Sequence, residues 1–170
     1  MTRGTLYLIP VPLGMIPAAE SLPAAVCAQA AGLRYFIAEN AKSARAFLKS
    51  LPSRIPLQDI SISELNEHTP PAVLHERLAP LLAGCPAVAD PGAELVALAQ
   101  ANGIRIAPLV GPSSILLALM ASGLGGQHFA FHGYLPAKEK ARNQKITALE
   151  KESRTHQRTQ IFIETPYRNL

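Results

Sequence analysis

Hydrophobic and polar positions divide this chain into short apolar runs separated by longer segments of helical pattern. The apolar runs predict six strands, within residues 5–11, 34–40, 57–66, 104–111, 128–136 and 159–166. The segments between them predict helices over residues 18–33, 41–51, 71–82, 93–103 and 112–124, and a basic helix that ends near residue 152. Because strands and helices alternate, we expect an α/β fold with a mainly parallel sheet. The helix at 112–124 is apolar on nearly every side, which predicts that it is buried.

The stretch LLAGCPAVADPG, residues 81–92, breaks this alternation, because the preceding helix runs into it with no apolar strand between. A sheet that lacked an interior strand would leave backbone groups of its neighbours unpaired, which is costly. We therefore expect that a strand is omitted between about residues 82 and 84. The last predicted strand ends where a further helix is expected, so we also expect the chain to continue past Leu170.

Composition excludes several classes of protein. No stretch reaches about 18 uninterrupted apolar residues, the length of a membrane-spanning helix. The apolar start, MTRGTLYLIPVPLG, lacks a cleavage site of the kind that secretion needs, so a cytoplasmic protein is expected. The two cysteines, Cys27 and Cys85, form no CxxC motif, and no histidines cluster, so neither a disulfide framework nor a metal site is indicated.

The net charge of +4 is confined to the last part of the chain. Residues 1–130 contain eight Lys/Arg and eight Asp/Glu, whereas residues 131–170 contain eight basic and four acidic residues. Both a solvated helix face and a patch that contacts phosphates explain such a cluster. No aromatic residues are interleaved with the basic segment at 138–158, so stacking on nucleic-acid bases is not indicated there.

Four turns rich in glycine and proline follow or adjoin predicted strands, at residues 10–14, 83–92, 110–114 and 132–136. Ligands of parallel α/β sheets bind beyond the carboxyl ends of the strands, and glycine lets a backbone approach them closely. The turns therefore predict a site that grips its ligand mainly through backbone groups. Ser113 and Ser114 also begin a helix, where capping is the alternative explanation. The chain contains no GxGxxG, P-loop or GxSxG motif.

Six ordered motifs carry a family resemblance over about residues 4 to 170: GTLYLIPVPLG, AENAKSARAFL, AGCPAVADPG, VGPSSILLALMASGL, FAFHGYLPAK and IFIETPYRNL. With them the chain resembles the class III, tetrapyrrole-methylase-like methyltransferases that depend on S-adenosylmethionine. The most similar branch methylates a ribose 2′-hydroxyl of 16S ribosomal RNA. The resemblance implies a homodimeric enzyme whose partner is the small ribosomal subunit.

The same resemblance implies two α/β domains with S-adenosylmethionine in the cleft between them. Residues 1–112 would be the N-terminal domain, and 113–170 the linking helix and part of an incomplete C-terminal domain. An SDAG motif would precede Cys85, which also suggests an omitted segment. The implied cofactor contacts are Pro12, Leu13, Gly14, Gly84, Cys85, Pro86, Gly111, Ser113, Ser114, Gly133, Tyr134, Leu135 and Pro136.

Two motifs depart from the family pattern, the first being the loop PVPLGM, where ATPIGN is usual. The usual acidic-Asp-Thr-Arg signature after the second strand is replaced by Glu39-Asn40-Ala41-Lys42, although Arg45 matches a later basic position. The cofactor loops thus look intact while the substrate side is altered, as in a divergent paralogue. The candidate RNA contacts are Lys42, Arg45, Lys138, Lys140 and Arg142.

Transfer of the methyl group to a hydroxyl would benefit from a nearby base. Glu39, at the end of the second strand, is the preferred candidate, although a carboxylate there also suits a helix N-terminus or an ion pair with Arg45. Asp90 more readily fixes its own turn, and His68 lies in a surface loop. Two other functions remain open: a methyltransferase acting on a small tetrapyrrole-like molecule, and a cofactor-binding module without catalysis.

Overall fold

A computed structural model describes residues 3–12, 16–66, 68–89 and 92–165. The chain divides into two units, Met1–Pro112 and Ser113–Leu170. Leu13, Gly14, Asp90 and the segment 166–170, on which predictions above fall, lie outside the described residues. Across the described ranges, no helix combines the length and the apolar character needed to cross a membrane.

The first unit is built on a five-stranded sheet in which every neighbouring pair of strands is parallel. Its strands are β1 (Thr5–Leu8), β2 (Tyr35–Ala38), β3 (Ser61–Glu64), β4 (Ala87–Ala89) and β5 (Arg105–Pro108). They are arranged in the order β3-β2-β4-β1-β5. The predicted α/β class with a mainly parallel sheet is confirmed.

Five helices connect these strands: α1 (Ala18–Ser21), α2 (Ala24–Ala31), α3 (Ala41–Ser50), α4 (Pro71–Leu82) and α5 (Ala93–Ala101). The single helix predicted over 18–33 is two helices, because Leu22 is extended, with ψ of 145°. The ring of Pro23 disfavours the helical conformation in the residue before it, so α1 ends there. A 3₁₀ turn, Leu57–Asp59, precedes β3.

Helices cover both faces of the sheet, as the alternation of side chains along the strands requires. Leu6 of β1 and Ile37 of β2 pack with buried residues of α4 and α5. Phe36 of β2 and Val88 of β4 face the other way, into a core shared with α1, α2 and α3. The sheet is therefore buried on both sides, and its ligand-accessible parts are the edges where the strands end.

The expectation of an omitted strand before Gly84 is wrong in this structure. The backbone is continuous from α4 through Gly84, whose φ is +92°, and β4 begins at Ala87. β4 lies between β2 and β1, with Val88 opposite both Phe36 and Tyr7. The interior strand is thus the sequence AVA within the unusual stretch. It is too short, and its side chains are too small, to be recognised as a strand from the sequence.

The second unit contains α6 (Ser114–Ser122), β6 (Phe129–Tyr134), α7 (Glu139–His156) and β7 (Thr159–Ile163), with β6 and β7 paired in parallel. The prediction that the helix at 112–124 is buried is wrong. Only Leu119 of α6 is buried, beside Gly126, whereas Leu116, Leu117 and Met120 are 51%, 54% and 80% exposed. Within this unit, other residues cover the helix along one stripe alone.

Candidate functional site

The carboxyl ends of the five parallel strands meet along one edge of the sheet, where ligands of such sheets bind. The loop after β1 includes Pro12, and the loop after β5 includes Gly111. The loop after β2 consists of Glu39 and Asn40, and β3 ends at Glu64. The first unit therefore places Pro12, Glu39 and Gly111 at the same edge of the sheet.

The loops after β1 and β5 lie directly against each other. The backbone N–H of Leu109 donates to the carbonyl of Leu8 at 2.8 Å. A Cβ atom on Gly111 would lie 2.1 Å from Cγ of Pro10 and 3.0 Å from Cδ2 of Leu22. These distances are too short for any side chain, so glycine at this position is explained by the close approach of the two loops. Pro12 is half-buried two residues after Pro10.

The N-terminus of α3 is capped by two side chains other than Glu39. Asn40 is the N-cap residue, and its Oδ1 accepts the backbone N–H of Ser43 at 3.0 Å. Oε1 of Glu64, at the end of β3, accepts the N–H of Ala41 at 2.8 Å. A carboxylate at the N-terminus of this helix was the structural alternative considered for Glu39. In the structure, Glu64 supplies that carboxylate.

Glu39 is exposed at the carboxyl edge, and in the described part of the chain it forms no ion pair with Arg45. Lys42 and Arg45 are both exposed on α3 and lie three residues apart, so they share one face of the helix. Neither structural role proposed for Glu39 is thus seen. The carboxylate of Glu39 and the two cations lie at and just beyond the same strand end.

Gly84, Cys85 and Pro86 lie at the opposite edge of the sheet, where the chain enters β4. Close to this turn, the N–H of Gly4 donates to the carbonyl of Leu81 at 2.7 Å. The three residues of β4 separate the turn from the carboxyl edge by about 10 Å. The structure therefore does not bring these three predicted cofactor contacts to Pro12 and Gly111.

The backbone N–H of His68, in an exposed loop, donates to Oδ1 of Asn66 at 3.0 Å.

In the second unit, Ser113 and Ser114 begin α6. Ser113 is the N-cap residue, but its side chain makes no capping hydrogen bond, so capping does not explain this serine. Gly133 has a φ of +66° and open space where a Cβ would be, so conformation and not crowding explains this glycine. Of the residues that follow it, Tyr134 and Pro136 are exposed and Leu135 is buried.

The three predicted RNA contacts of this unit lie at the start of α7. Lys138 is its N-cap residue and is exposed, as is Lys140. Arg142 is half-buried, and its Nη1 donates to the carbonyl of Ala137 at 3.1 Å. Farther along, Arg154 pairs with Glu150 at 2.5 Å, and Arg158 pairs with Glu152. The cations near the helix start are therefore more available than Arg154 and Arg158.

Sequence reasoning missed the role of Glu64, because its partner Ala41 belongs to a different strand–helix connection. A usable signal was present: Glu64 is the last residue of the alternating run SISE, so it ends a strand at the same edge as Glu39. Lys49 was also missed. It is exposed and lies four residues after Arg45, which extends the cationic face of α3 by one turn.

Comparison with known proteins finds similar sequences over nearly the whole chain. The proteins named ribosomal RNA small subunit methyltransferase I from Vibrio cholerae and Xylella fastidiosa are 32% and 34% identical, over 96% and 98% of this chain. The protein of that name from Escherichia coli O157:H7 is 32% identical over 99% of it. No model of a known protein family matches the chain.

The chain spans somewhat more than half the length of these curated relatives, from 56% to 60%. The alignment with the Xylella fastidiosa protein extends over 182 residues, which exceeds the 170 residues of this chain. That relative therefore has additional residues within the aligned region. The likeness nevertheless covers both units of the fold. By sequence, this chain is similar throughout both units to the ribosomal RNA small subunit methyltransferase I proteins.

Proposed function

We propose that the protein transfers a methyl group from S-adenosylmethionine to a ribose 2′-hydroxyl of small-subunit ribosomal RNA. The observation that carries the proposal is the likeness, at 31% to 34% identity over nearly the whole chain, to proteins named for methylation of this RNA. The open carboxyl edge of the parallel sheet supports it, because such edges bind ligands of this size. The small-molecule and non-catalytic alternatives receive no comparable support.

The proposed cofactor site of the first unit is formed by Pro12, Leu13, Gly14 and Gly111. The contact between the loops after β1 and β5 fits this role. Gly111 lies beside Pro10 and has no side chain, so a ligand can approach its backbone directly. When bound, S-adenosylmethionine supplies a methyl group activated by a positively charged sulfur. We exclude Gly84, Cys85 and Pro86 from the proposed site because they lie at the other edge of the sheet.

From the second unit, we propose Ser113, Ser114 and the segment from Gly133 to Pro136 as further cofactor contacts. The hydroxyl of Ser113 is not used in capping α6, which supports a role in ligand binding. The positive φ of Gly133 gives the end of β6 a shape that other residues rarely adopt.

We propose Glu39 as the general base. With S-adenosylmethionine bound, its methyl group would pass to the hydroxyl oxygen of the substrate, and the electron pair of the broken carbon–sulfur bond would remain on sulfur. The carboxylate of Glu39 accepts the hydroxyl proton. The exposure of Glu39 and its lack of a capping role support this assignment, since the side chain is not committed to the fold.

On the substrate side, we propose that Lys42, Arg45, Lys138, Lys140 and Arg142 contact RNA phosphates. Positive charges near a helix N-terminus oppose the helix dipole, by about 0.3–1 kcal/mol each at exposed positions. Helix stability therefore does not explain Lys138 and Lys140 at the start of α7. Contact with a polyanion does explain them.

The test is transfer of a labelled methyl group from the cofactor to purified small ribosomal subunits and to free 16S RNA. Wild-type protein should label a ribose, and Glu39→Gln should lower kcat by about 10²- to 10⁴-fold. Glu76→Gln, which changes an exposed carboxylate of α4, is the matched control and should leave kcat unchanged. Absence of labelling of any RNA would overturn the function. Equal rates for wild type and Glu39→Gln would overturn the role of Glu39 alone.

Two finer points belong to the same proposal. We propose that the protein acts in the cytoplasm, where a ribosomal RNA substrate would be met, and that it does so as a homodimer. Sedimentation of the purified chain should show the mass of two copies. A single copy at micromolar concentration would contradict the dimer and would leave the methyl-transfer proposal standing.

A further inference from the structure

The loop between β2 and α3 carries Glu39 at the carboxyl edge and is only two residues long. It consists of Glu39 and Asn40, between Ala38, the last residue of β2, and Ala41, the first of α3. Glu39 is exposed, and no residue that the structure describes forms a hydrogen bond or an ion pair with its carboxylate. The position of this carboxylate is therefore set by what holds the backbone on either side of it.

One short segment at the end of β3 holds the backbone on both sides. Oε1 of Glu64 accepts the N–H of Ala41 at 2.8 Å. On the other side, the N–H of Leu65 donates to the carbonyl of Ala38 at 2.9 Å. Glu64 and Ala38 are also paired in register between β3 and β2. Glu39 therefore lies between two hydrogen bonds that both come from this segment.

Helix capping alone does not explain the hydrogen bond to Glu64. The first four N–H groups of a helix have no partner within it, and the N-cap side chain satisfies one of them. Asn40 already does so for α3, because its Oδ1 accepts the N–H of Ser43 at 3.0 Å. Water could serve the N–H of Ala41, since this hydrogen bond lies at the surface. What the carboxylate adds is a fixed link between the loop that carries Glu39 and the neighbouring strand.

The segment that supplies this link is itself held in place. The N–H of Asn66 donates to Oγ1 of Thr69, and the N–H of Thr69 donates to the carbonyl of Asn66, each at 2.9 Å. The side chain of Leu65 reaches the start of α5, where a Cβ atom on Gly92 would lie 3.1 Å from its Cδ2. A support that is fixed by its own contacts can hold a neighbouring loop in one place.

We propose that Glu64 is a positioning residue for methyl transfer. By accepting the N–H of Ala41, it fixes the place at the carboxyl edge from which the carboxylate of Glu39 reaches the substrate. The inference rests on the function proposed above, in which Glu39 is the general base. A base must lie within hydrogen-bond reach of the proton that it accepts, and a displacement of about 1 Å can lower a rate by about 100-fold. In this role Glu64 does not touch the substrate and acts through Glu39 alone.

The experiment measures the kinetics of methyl transfer from labelled S-adenosylmethionine to purified small ribosomal subunits. Glu64→Ala removes the acceptor and should lower kcat by about 10- to 100-fold, with KM for the cofactor and for the subunit unchanged. Glu64→Gln keeps an acceptor oxygen and should remain within about 3-fold of wild type. Glu76→Ala, which removes an exposed carboxylate of α4, is the matched control and should leave kcat unchanged. Circular dichroism verifies that each variant is folded.

A double variant separates positioning from a merely structural role. In the Glu39→Gln background, Glu64→Ala should cause no further loss of kcat, because residues that act as a unit do not contribute additively. A structural defect would lower kcat by the same factor in both backgrounds, and that result would overturn the proposal. An equal loss of kcat in Glu64→Gln and Glu64→Ala would overturn it as well, since the charge of Glu64 and not its hydrogen bond would then matter.

Amide hydrogen exchange followed by NMR tests the hydrogen bond without any measurement of activity. The N–H of Ala41 should exchange about 10-fold faster in Glu64→Ala than in wild type, whereas the N–H of Ser43, which Asn40 accepts, should exchange equally in both. Protection of Ala41 in a wild type that methylates no RNA would overturn the proposed function and leave Glu64 as the support of the loop. Methyl transfer that Glu64→Ala leaves at the wild-type rate would overturn only the present proposal.

Discussion

The continuous connection from α4 to β4 can be tested at Gly4, which precedes β1. A Cβ atom at this position would lie 2.1 Å from the carbonyl oxygen of Cys85 and 2.7 Å from its carbonyl carbon. Both are backbone atoms, which cannot rotate away as a flexible side chain can. Gly4→Ala must therefore displace either the start of β1 or the turn that feeds β4.

The expected cost follows from two terms. Forcing an extra carbon into closely packed surroundings costs about 1–3 kcal/mol. The displacement also strains the 2.7 Å hydrogen bond from the N–H of Gly4 to the carbonyl of Leu81, and an intramolecular hydrogen bond contributes about 0.5–1.5 kcal/mol. Gly4→Ala should thus lower the free energy of unfolding by about 1.5–4.5 kcal/mol.

Urea unfolding followed by far-UV circular dichroism measures this difference. Two control variants should remain within about 0.5 kcal/mol of wild type. Gly32→Ala adds a Cβ whose nearest atoms are carbonyl oxygens at 3.7 and 3.8 Å, an ordinary contact. Cys85→Ala changes an exposed side chain and leaves the backbone contact intact. If Gly4→Ala is as stable as Gly32→Ala, the turn does not lie against β1 and the placement of β4 is refuted.

Three further predictions concern the carboxyl edge. Asn40→Ala should lower the free energy of unfolding by about 1 kcal/mol because α3 loses its cap, whereas Asn40→Asp should not lower it. Equal free energies of unfolding for the two variants would contradict the cap. Gly111→Ala should lower the free energy of unfolding by about 1–3 kcal/mol, because the added Cβ meets the ring of Pro10. It should also weaken the binding of S-adenosylhomocysteine, which calorimetry measures. Unchanged binding would remove Gly111 from the proposed site. Replacing Lys42 and Arg45 together by Gln should reduce the magnitude of the salt slope for single-stranded RNA binding by about 1.4, and an unaltered slope would exclude both contacts.

The class of fold could be predicted because strands such as β1 and β2 are apolar runs separated by segments of helical pattern. β4 could not, because Ala87, Val88 and Ala89 are too few and too small to give a periodic signal. What identifies these residues as a strand is their place between β1 and β2, which is a contact across the sheet. The break between α1 and α2 was within reach of the sequence, since Pro23 restricts the residue before it.

For the candidate site, the sequence indicated which residue types occur at strand ends but not what they touch. Gly111 was recognised as a loop glycine, yet the ring that excludes a side chain there belongs to Pro10, about a hundred residues earlier. The irregular pairing of β6 with β7 could not be read from the sequence for a similar reason. Counting residues assigns Phe131 and Tyr134 to opposite faces, and only the pairing with β7 shows that they share one.

The position of β4 has a consequence for how the first unit folds. In the order β3-β2-β4-β1-β5, this three-residue strand is what joins the pair β2–β3 to the pair β1–β5. Without it, two isolated pairs remain, and two-stranded arrangements are marginally stable at best in water. We therefore expect the two halves of the sheet to gain or lose their structure together, with the insertion of residues 87–89 completing the sheet.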